Sequence, residues 1–329
     1  MGTFLTWVMV IAGIHLLRKF VSARITTARN HEDFSGTLFQ IDRSVVAYQP
    51  QEGKADADQN IDQSADRSII CMHGWLEDHR YFTGTYTPED GELILINSCD
   101  YHVPVLNQTP KVEAWSNIIG YPARTIEYDA AVLIRAVENL ATSDNLRLHG
   151  HSRGGAVVLE ALKQRPELFK NAEVILEAPI LPEATIITRR VKNEKINKLI
   201  VRALSYPFPF IAALLNKYGL PEKAKSRMGR GPIRKRLIVD GLFNSPKQVD
   251  VLVDNIRNMQ DWPLRNSVDL FDLANRGTFL IPAWDNVLSK KRMLASANRN
   301  KGNMAVIETK DTSHFVTIDN PTLIPGFSS

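Results

Sequence analysis

The segment from 146 to 155 reads Leu146-Arg147-Leu148-His149-Gly150-His151-Ser152-Arg153-Gly154-Gly155. Leu146 and Leu148 alternate with polar residues, which is typical of a strand, and the apolar residues after Gly155 have helical spacing. Between the two patterns lies a G-x-S-x-G sequence. This spacing predicts a sharp strand-to-helix turn, with the serine in a strained conformation and glycines where a Cβ would clash.

The run from Gly150 to Gly155 resembles the nucleophile elbow of the α/β-hydrolase superfamily. The resemblance covers roughly Gly36 to Asp319 and is most specific at the elbow. It implies a mostly parallel α/β-hydrolase sheet and a Ser-His-acid triad. A serine at the elbow, instead of an aspartate, disfavours haloalkane dehalogenase and epoxide hydrolase chemistry. The alternative is a glycine-rich turn with an incidental serine, which the flanking strand and helix patterns disfavour.

Strand patterns alternate with helix patterns along the chain. Besides the elbow strand, strands are predicted at Gly36–Asp42, Arg43–Gln49, Ser68–Met72, Leu93–Ile96, Glu173–Leu176, Thr278–Ile281 and Ala305–Ile307. The first two would form a hairpin, and Thr125–Leu140 has the spacing of an amphipathic helix. This order predicts an α/β fold with helices on both faces of a mostly parallel sheet.

The alternation stops between Pro179 and about Trp262, where prolines interrupt predicted helices and where the superfamily often inserts a cap. We therefore divide the chain into an N-terminal anchor (1–22), a first part of the hydrolase core (23–179), a helical basic cap (180–262) and a second part of the core (263–329).

The predicted cap is strongly basic. From Arg189 to Arg236 there are fourteen Lys and Arg against two acids, and the apolar run Leu199–Leu215 lies within this stretch. Such a surface suits an interface with anionic lipids. A solvated basic face over a helix packed on the core remains an equal alternative. No nucleic-acid recognition module is present, so no nucleic-acid partner is predicted.

The N-terminus carries the second membrane signal. Residues 1–17 contain no Lys, Arg, Asp or Glu, and Arg18, Lys19, Arg24 and Arg29 follow before the first acid, Glu32. A signal peptide would carry its positive charge before the apolar run, and a buried first helix would expose many apolar faces. An uncleaved anchor is preferred, and the charge after it places the catalytic domain on the cytoplasmic side.

Composition excludes two classes of protein. A hydrophobic content of 44% argues against global disorder. The two cysteines, Cys71 and Cys99, lie at ends of predicted strands and are expected to be buried thiols, possible neighbours, and not part of a disulfide scaffold. No clustered His/Cys spacing suggests a metal site.

The resemblance also proposes the partners of Ser152, because the superfamily's chain order is Ser, acid, His. Of the eight histidines only His314 follows Ser152, so His314 is the predicted base. Asp285, just past the strand before the last one, resembles the family's usual acid. Glu177 is the alternative that some relatives use, whereas Asp269 and Asp272 are expected to be solvated residues of a helix.

Two backbone amides would bind the developing oxyanion. One is the amide of Arg153, directly after the nucleophile. His73-Gly74 resembles the family's oxyanion loop, which makes Trp75 the second donor and gives His73 the role of orienting the loop by a hydrogen bond. Residues 97–104 depart from the acid-x-Pro-Gly-x-Gly loop of many relatives, so the common esterase and dehalogenase subgroups do not fit closely.

These patterns predict a membrane-associated serine hydrolase that cleaves an ester or thioester of a lipid-like acyl substrate. The reaction would pass through an acyl-enzyme on Ser152 and would need no cofactor. An acyltransferase that uses the same triad is one alternative. A non-catalytic scaffold protein on a hydrolase fold is another, which the presence of Ser152, Asp285 and His314 disfavours.

Overall fold

A computed structural model describes residues 2–24, 32–53, 65–101, 103–105, 108–184, 196, 203, 207 and 246–326. Within these ranges the helices are α1 (Gly2–Arg24), α2 (Ile126–Leu140), α3 (Arg153–Gln164), α4 (Pro246–Arg265), α5 (Lys290–Ala297) and α6 (Val316–Asp319). The strands are β1 (Thr37–Ile41), β2 (Ser44–Gln49), β3 (Ser68–Met72), β4 (Glu92–Ile96), β5 (Lys111–Val112), β6 (Leu146–His151), β7 (Glu173–Glu177), β8 (Arg276–Ile281) and β9 (Met304–Glu308). Short 3₁₀ turns lie at His79–Tyr81, Val268–Leu273 and Pro321–Leu323.

The described strands form one sheet in the order β5-β1-β2-β4-β3-β6-β7-β8-β9. β2 pairs antiparallel with both β1 and β4, and every pair from β4 to β9 is parallel. The predicted hairpin and the mostly parallel sheet are therefore confirmed. The short edge strand β5 was not predicted, because two exposed residues carry no pattern.

The central strands are buried on both faces, which explains their continuous apolar runs. Alternate residues enter two separate core clusters: Ile70 and Met72 face one, and Ile69 and Cys71 face the other. α2 and α3 pack over the first cluster, where Cys99 also lies.

Cys71 and Cys99 are both buried free thiols, as predicted, but they lie in different clusters. The idea that they are neighbours was wrong, because the sheet runs between the two clusters.

Helix α1 is exposed along its apolar length. The span Thr3–Val21 is long and apolar enough to cross a membrane. Phe4, Trp7 and Leu16 each expose more than half of their surface. A signal sequence can have the same length and composition.

Most of the predicted cap, including its basic stretch and the run from 199 to 215, lies outside the described residues. α4 runs from 246 to 265, across the predicted cap boundary at 262. It packs on the hydrolase core. The Tyr101 hydroxyl donates to Oδ1 of Asn255 at 2.7 Å, and the Ile126 amide donates to Oδ1 of Asn258 at 2.7 Å.

Candidate active site

Ser152 lies at the turn between β6 and α3 with φ = 52° and ψ = −115°. A non-glycine residue in this region carries strain of about 1–3 kcal/mol, which the surrounding structure must hold. The glycines allow the close approach. A Cβ on Gly154 would overlap the Met72 carbonyl oxygen, and a Cβ on Gly150 would lie 2.5 Å from the Gly154 oxygen. The structure thus confirms that a Cβ would clash at these two glycines.

Backbone hydrogen bonds hold this turn in place. The Ser152 amide donates to the Glu177 carbonyl at 2.8 Å, and the Ser152 carbonyl accepts from Ile180 N at 2.9 Å. The end of β7 and the segment after it therefore fix the height of the serine above the sheet.

The imidazole of His314 faces the serine hydroxyl. His314 follows β9, and its Nε2 lies 3.0 Å from Ser152 Oγ. Both side chains are almost fully buried, with Ser152 4% and His314 6% exposed. The structure therefore brings together the serine and the only histidine that follows it in the chain.

Asp285 lies on the other side of this imidazole. Its Oδ2 is 2.7 Å from Nδ1 of His314, and its side chain is fully buried. Its second oxygen, Oδ1, accepts from the amides of Val287 at 2.7 Å and Leu288 at 2.8 Å. These two donors fix the carboxylate beside the imidazole. Because Oδ2 accepts from Nδ1 of His314, Nε2 faces Ser152 as the acceptor.

The loop after β3 packs directly on the elbow. A Cβ on Gly74 would lie 2.9 Å from the Ser152 Cβ, so only glycine lets the loop come this close. His73 orients the loop as expected: its Nδ1 donates to the Gly74 carbonyl at 2.7 Å, and its Nε2 accepts from Ser98 N at 3.1 Å. The Trp75 indole donates to the Leu252 carbonyl in α4 at 3.2 Å. That the amides of Trp75 and Arg153 bind an oxyanion stays a prediction.

The Arg153 side chain is fully buried beside the elbow. Its Nη1 donates to Asp129 Oδ2 at 2.6 Å and to Ser98 Oγ at 3.2 Å. Asp129 also accepts from Cys99 N at 3.0 Å. This ion pair thus joins the start of α3 to α2 and to the loop after β4. Among the described residues, no three His, Cys, Asp or Glu side chains are grouped so that they could hold a metal ion.

No protein-family model matches the sequence, and no curated protein is significantly similar to it. Solved structures are similar in fold. An esterase from Thermogutta terrifontis is 15% identical, with a TM-score of 0.53 over 88% of this chain and 94% of the esterase. A serine hydrolase from Cycloclasticus zankles is 12% identical, with a TM-score of 0.55 over 88% of this chain and 94% of that one. A bromoperoxidase from Bacillus anthracis is 13% identical, with a TM-score of 0.53 over 88% and 96%.

The chain has the α/β-hydrolase fold. Ser152, Asp285 and His314 follow β6, β8 and β9, at the same edge of its sheet. This shared edge brings together residues that are far apart in the chain. Since one fold carries many unrelated reactions, the activity has to be argued from the site itself.

Glu177, the alternative acid, belongs to a different buried cluster of this α/β-hydrolase fold. Its carboxylate accepts from Tyr81 Oη at 2.5 Å, from His149 Nε2 at 3.0 Å, and from the amide and hydroxyl of Thr317 at 2.7 and 2.8 Å. Burial alone would raise the pKa of Glu177, but the hydrogen bond from His149 and the nearby charge of His151 lower it to about 2. Glu177 therefore joins β7 to the helix that follows His314.

The other two acids considered, Asp269 and Asp272, lie on a 3₁₀ turn and not in this buried cluster. Asp269 is exposed and Asp272 pairs with Lys301, both on the 3₁₀ turn Val268–Leu273. The predicted helix is thus a 3₁₀ turn, and Asp269 is solvated as expected.

Two side chains that touch the site, His151 and Glu77, were not predicted from the sequence. His151 occupies the first x position of the G-x-S-x-G sequence, and Glu77 lies three residues after Gly74. Their side chains meet at 2.8 Å, between His151 Nδ1 and Glu77 Oε2. Glu77 could have been noticed as an acid on the predicted oxyanion loop, but no local pattern pairs it with His151.

Proposed function

We propose that this chain is a membrane-associated serine hydrolase that cleaves an ester or thioester of a lipid-like acyl substrate. The proposal rests on one hydrogen-bonded chain of three side chains. Ser152 Oγ lies 3.0 Å from His314 Nε2, and His314 Nδ1 lies 2.7 Å from Asp285 Oδ2. This order of nucleophile, base and orienting acid is what attack on an acyl carbon needs.

In the first step His314 Nε2 takes the proton from Ser152 Oγ while the oxygen attacks the substrate carbonyl carbon. Asp285 keeps the imidazole in the right tautomer and stabilises the imidazolium that forms. Its own two amide hydrogen bonds hold it in place during this change. The C–O or C–S bond then breaks as His314 returns the proton to the leaving group.

Water completes the cycle. His314 removes a proton from the water molecule that attacks the acyl-serine ester, and Ser152 leaves with that proton. In both steps negative charge develops on the carbonyl oxygen, where the amides of Arg153 and Trp75 would donate. A single donor of this kind is worth about 10²- to 10³-fold in rate.

The membrane part of the proposal rests on α1. Its exposed apolar span, with Arg18 and Lys19 near its C-terminal end, suits an anchor that leaves the catalytic domain on the cytoplasmic side. A hydrolase held at the bilayer meets lipid-borne esters at high local concentration, which supports a lipid-like acyl substrate.

The chemistry is tested by labelling the full chain with a fluorophosphonate probe. We expect stoichiometric labelling, its loss in Ser152→Ala, and turnover within a panel of p-nitrophenyl esters. Product analysis with an added alcohol separates hydrolysis from acyl transfer. If the intact protein does not label, the hydrolase proposal fails and a scaffold function is favoured.

The membrane part is tested by deleting residues 1–20. We expect activity on vesicle-borne esters to fall much more than activity on soluble esters, because only the first depends on bilayer contact. Equal losses on both substrates would remove the membrane argument and leave the hydrolase proposal intact.

A further inference from the structure

His151 connects three parts of the candidate active site. Its Nδ1 lies 2.8 Å from Glu77 Oε2, and its Nε2 lies 2.9 Å from the backbone carbonyl oxygen of His314. The same Glu77 oxygen accepts from the Gly74 amide at 2.7 Å. One buried pair thus touches the elbow, the candidate oxyanion loop and the backbone of the candidate base.

The partners of His151 define its protonation. Carboxylate and carbonyl oxygens only accept hydrogen bonds, so both ring nitrogens of His151 must carry a proton for both contacts to be hydrogen bonds. The ring is therefore an imidazolium. The Tyr81 ring stacks on it with centroids 4.2 Å apart and planes 13° apart, an arrangement that favours a cation.

His149, two residues earlier on the same strand, shows the contrast. Its Nε2 donates to Glu177, while its Nδ1 can accept from the Tyr86 hydroxyl at 2.9 Å. A hydroxyl can donate, so this ring satisfies both partners while neutral. Burial lowers the pKa of His149, in agreement with a neutral ring.

The ionisable groups around His151 are Glu77 and Tyr81 from the segment after β3, Glu177 at the end of β7 and His314 after β9, and His149 lies on the same strand as His151. Burial alone would lower the pKa of His151. The carboxylate of Glu77, with a smaller contribution from Glu177, outweighs burial and raises that pKa to about 9. The ring is thus cationic at neutral pH.

We propose that Glu77 and His151 are positioning residues: their ion pair holds the candidate oxyanion loop and the candidate base in register with Ser152. The inference rests on the proposed serine hydrolase function and goes beyond it by adding a pair outside the triad. A neutral His151 can donate from only one nitrogen. The other nitrogen would face an oxygen lone pair, and either the loop or the His314 backbone would move away.

Glu77→Gln tests the pair, because it keeps the size of the side chain and removes the charge that holds the second proton on His151. We expect kcat, and the rate of fluorophosphonate labelling, to fall about 10- to 100-fold with KM little changed, as for a displacement of the reacting groups. His151→Gln should cost a similar factor. The double variant should cost no more than either single one, since each already breaks the same unit.

The pH profile separates positioning from general damage to the fold. The wild type should lose kcat as pH rises through about 9, where the pKa of His151 lies. Glu77→Gln should be uniformly slow and should lack this decline. The matched control is His149→Gln, an equally buried imidazole on β6. We expect it to lower thermal stability but to keep the decline near pH 9 and kcat within about threefold of the wild type.

Histidine NMR on the full chain in detergent micelles provides a measurement that needs no activity. The signal that is missing in His151→Gln should show two protonated nitrogens up to about pH 9. Loss of a proton below pH 7.5 would overturn the inference, as would a Glu77→Gln profile identical to that of the wild type. A wild type that fails to label would refute the hydrolase function itself, which is a different outcome.

Discussion

Nε2 of His314 lies 3.0 Å from Oγ of Ser152, although 162 positions separate the two residues in the chain. The contact exists because β6 and β9 are parallel strands whose carboxyl ends meet at one edge of the sheet. Asp285 extends the relationship from the end of β8. The functional proposal depends on this geometry.

The strained backbone conformation of Ser152 should lower the free energy of unfolding. Ser152→Gly removes the hydroxyl and also relieves the strain at φ = 52°, so we expect it to abolish labelling while raising the free energy of unfolding by about 1 kcal/mol. Ser152→Ala is the matched control, since it loses the hydroxyl but keeps a Cβ. Chemical denaturation compares the two. Equal stability of both variants would show that the turn is not strained.

Substitutions of the two buried acids, Asp285 and Glu177, should have different effects. Asp285→Asn keeps the shape but leaves His314 in the wrong tautomer, so we expect kcat to fall by about 10⁴-fold with a small change in melting temperature. Glu177→Gln should lower the melting temperature clearly while kcat of the folded protein changes by less than about tenfold. Ester hydrolysis and calorimetry on both variants test the assignment. The reverse pattern would make Glu177 the orienting acid.

Gly74 should be essential for the approach of the loop to the elbow. In Gly74→Ala the new Cβ would meet Glu77 Oε2 at 2.8 Å and Ser152 Cβ at 2.9 Å, so the loop must retreat. We expect kcat to fall about 10²-fold, because the loss of one oxyanion donor has that size. Gly120→Ala is the control, since nothing lies within 4 Å of its Cβ and Gly120 is exposed. Similar activity of both alanine variants would contradict the predicted role of this loop.

Glu177 should govern stability in acid. Its pKa lies near 2 in the folded protein, below the usual value of 4.5, so its ionised form stabilises the fold fully above about pH 4.5. As the pH falls through 2 this contribution, about 3 kcal/mol, is lost. Denaturation between pH 7 and 2 should therefore show a steeper loss for the wild type than for Glu177→Gln. Parallel curves for the two proteins would show that Glu177 does not have this low pKa.

The ion pair of Arg153 with Asp129 should be costly to break. Both side chains are fully buried, so Asp129→Asn leaves an uncompensated guanidinium, and we expect a loss of about 3–5 kcal/mol in the free energy of unfolding. Glu138→Gln, which breaks the exposed pair with Arg165, should cost less than about 1 kcal/mol. Urea denaturation of the two variants measures the difference. Comparable losses would show that burial does not decide the effect.

Much of the fold could be predicted from local patterns. The apolar runs Ser68–Met72 and Leu93–Ile96 correspond to β3 and β4, because strands covered on both faces need apolar residues at every position. Ser152 could be singled out because the two nearby glycines and the change from strand to helix periodicity lie in one continuous segment. The short strand β5 had no such signal.

The sequence by itself predicted the class of fold and the elbow serine. Through the resemblance and its chain order it also predicted His314 as the base and Asp285, in preference to Glu177, as the acid. Only the tertiary structure decided that Glu177 holds Thr317 and that His151 is an imidazolium between Glu77 and the His314 carbonyl. The physical reason is that periodicity records which face of an element is buried. The charge and hydrogen bonds of a buried polar group depend on atoms that distant segments bring to it.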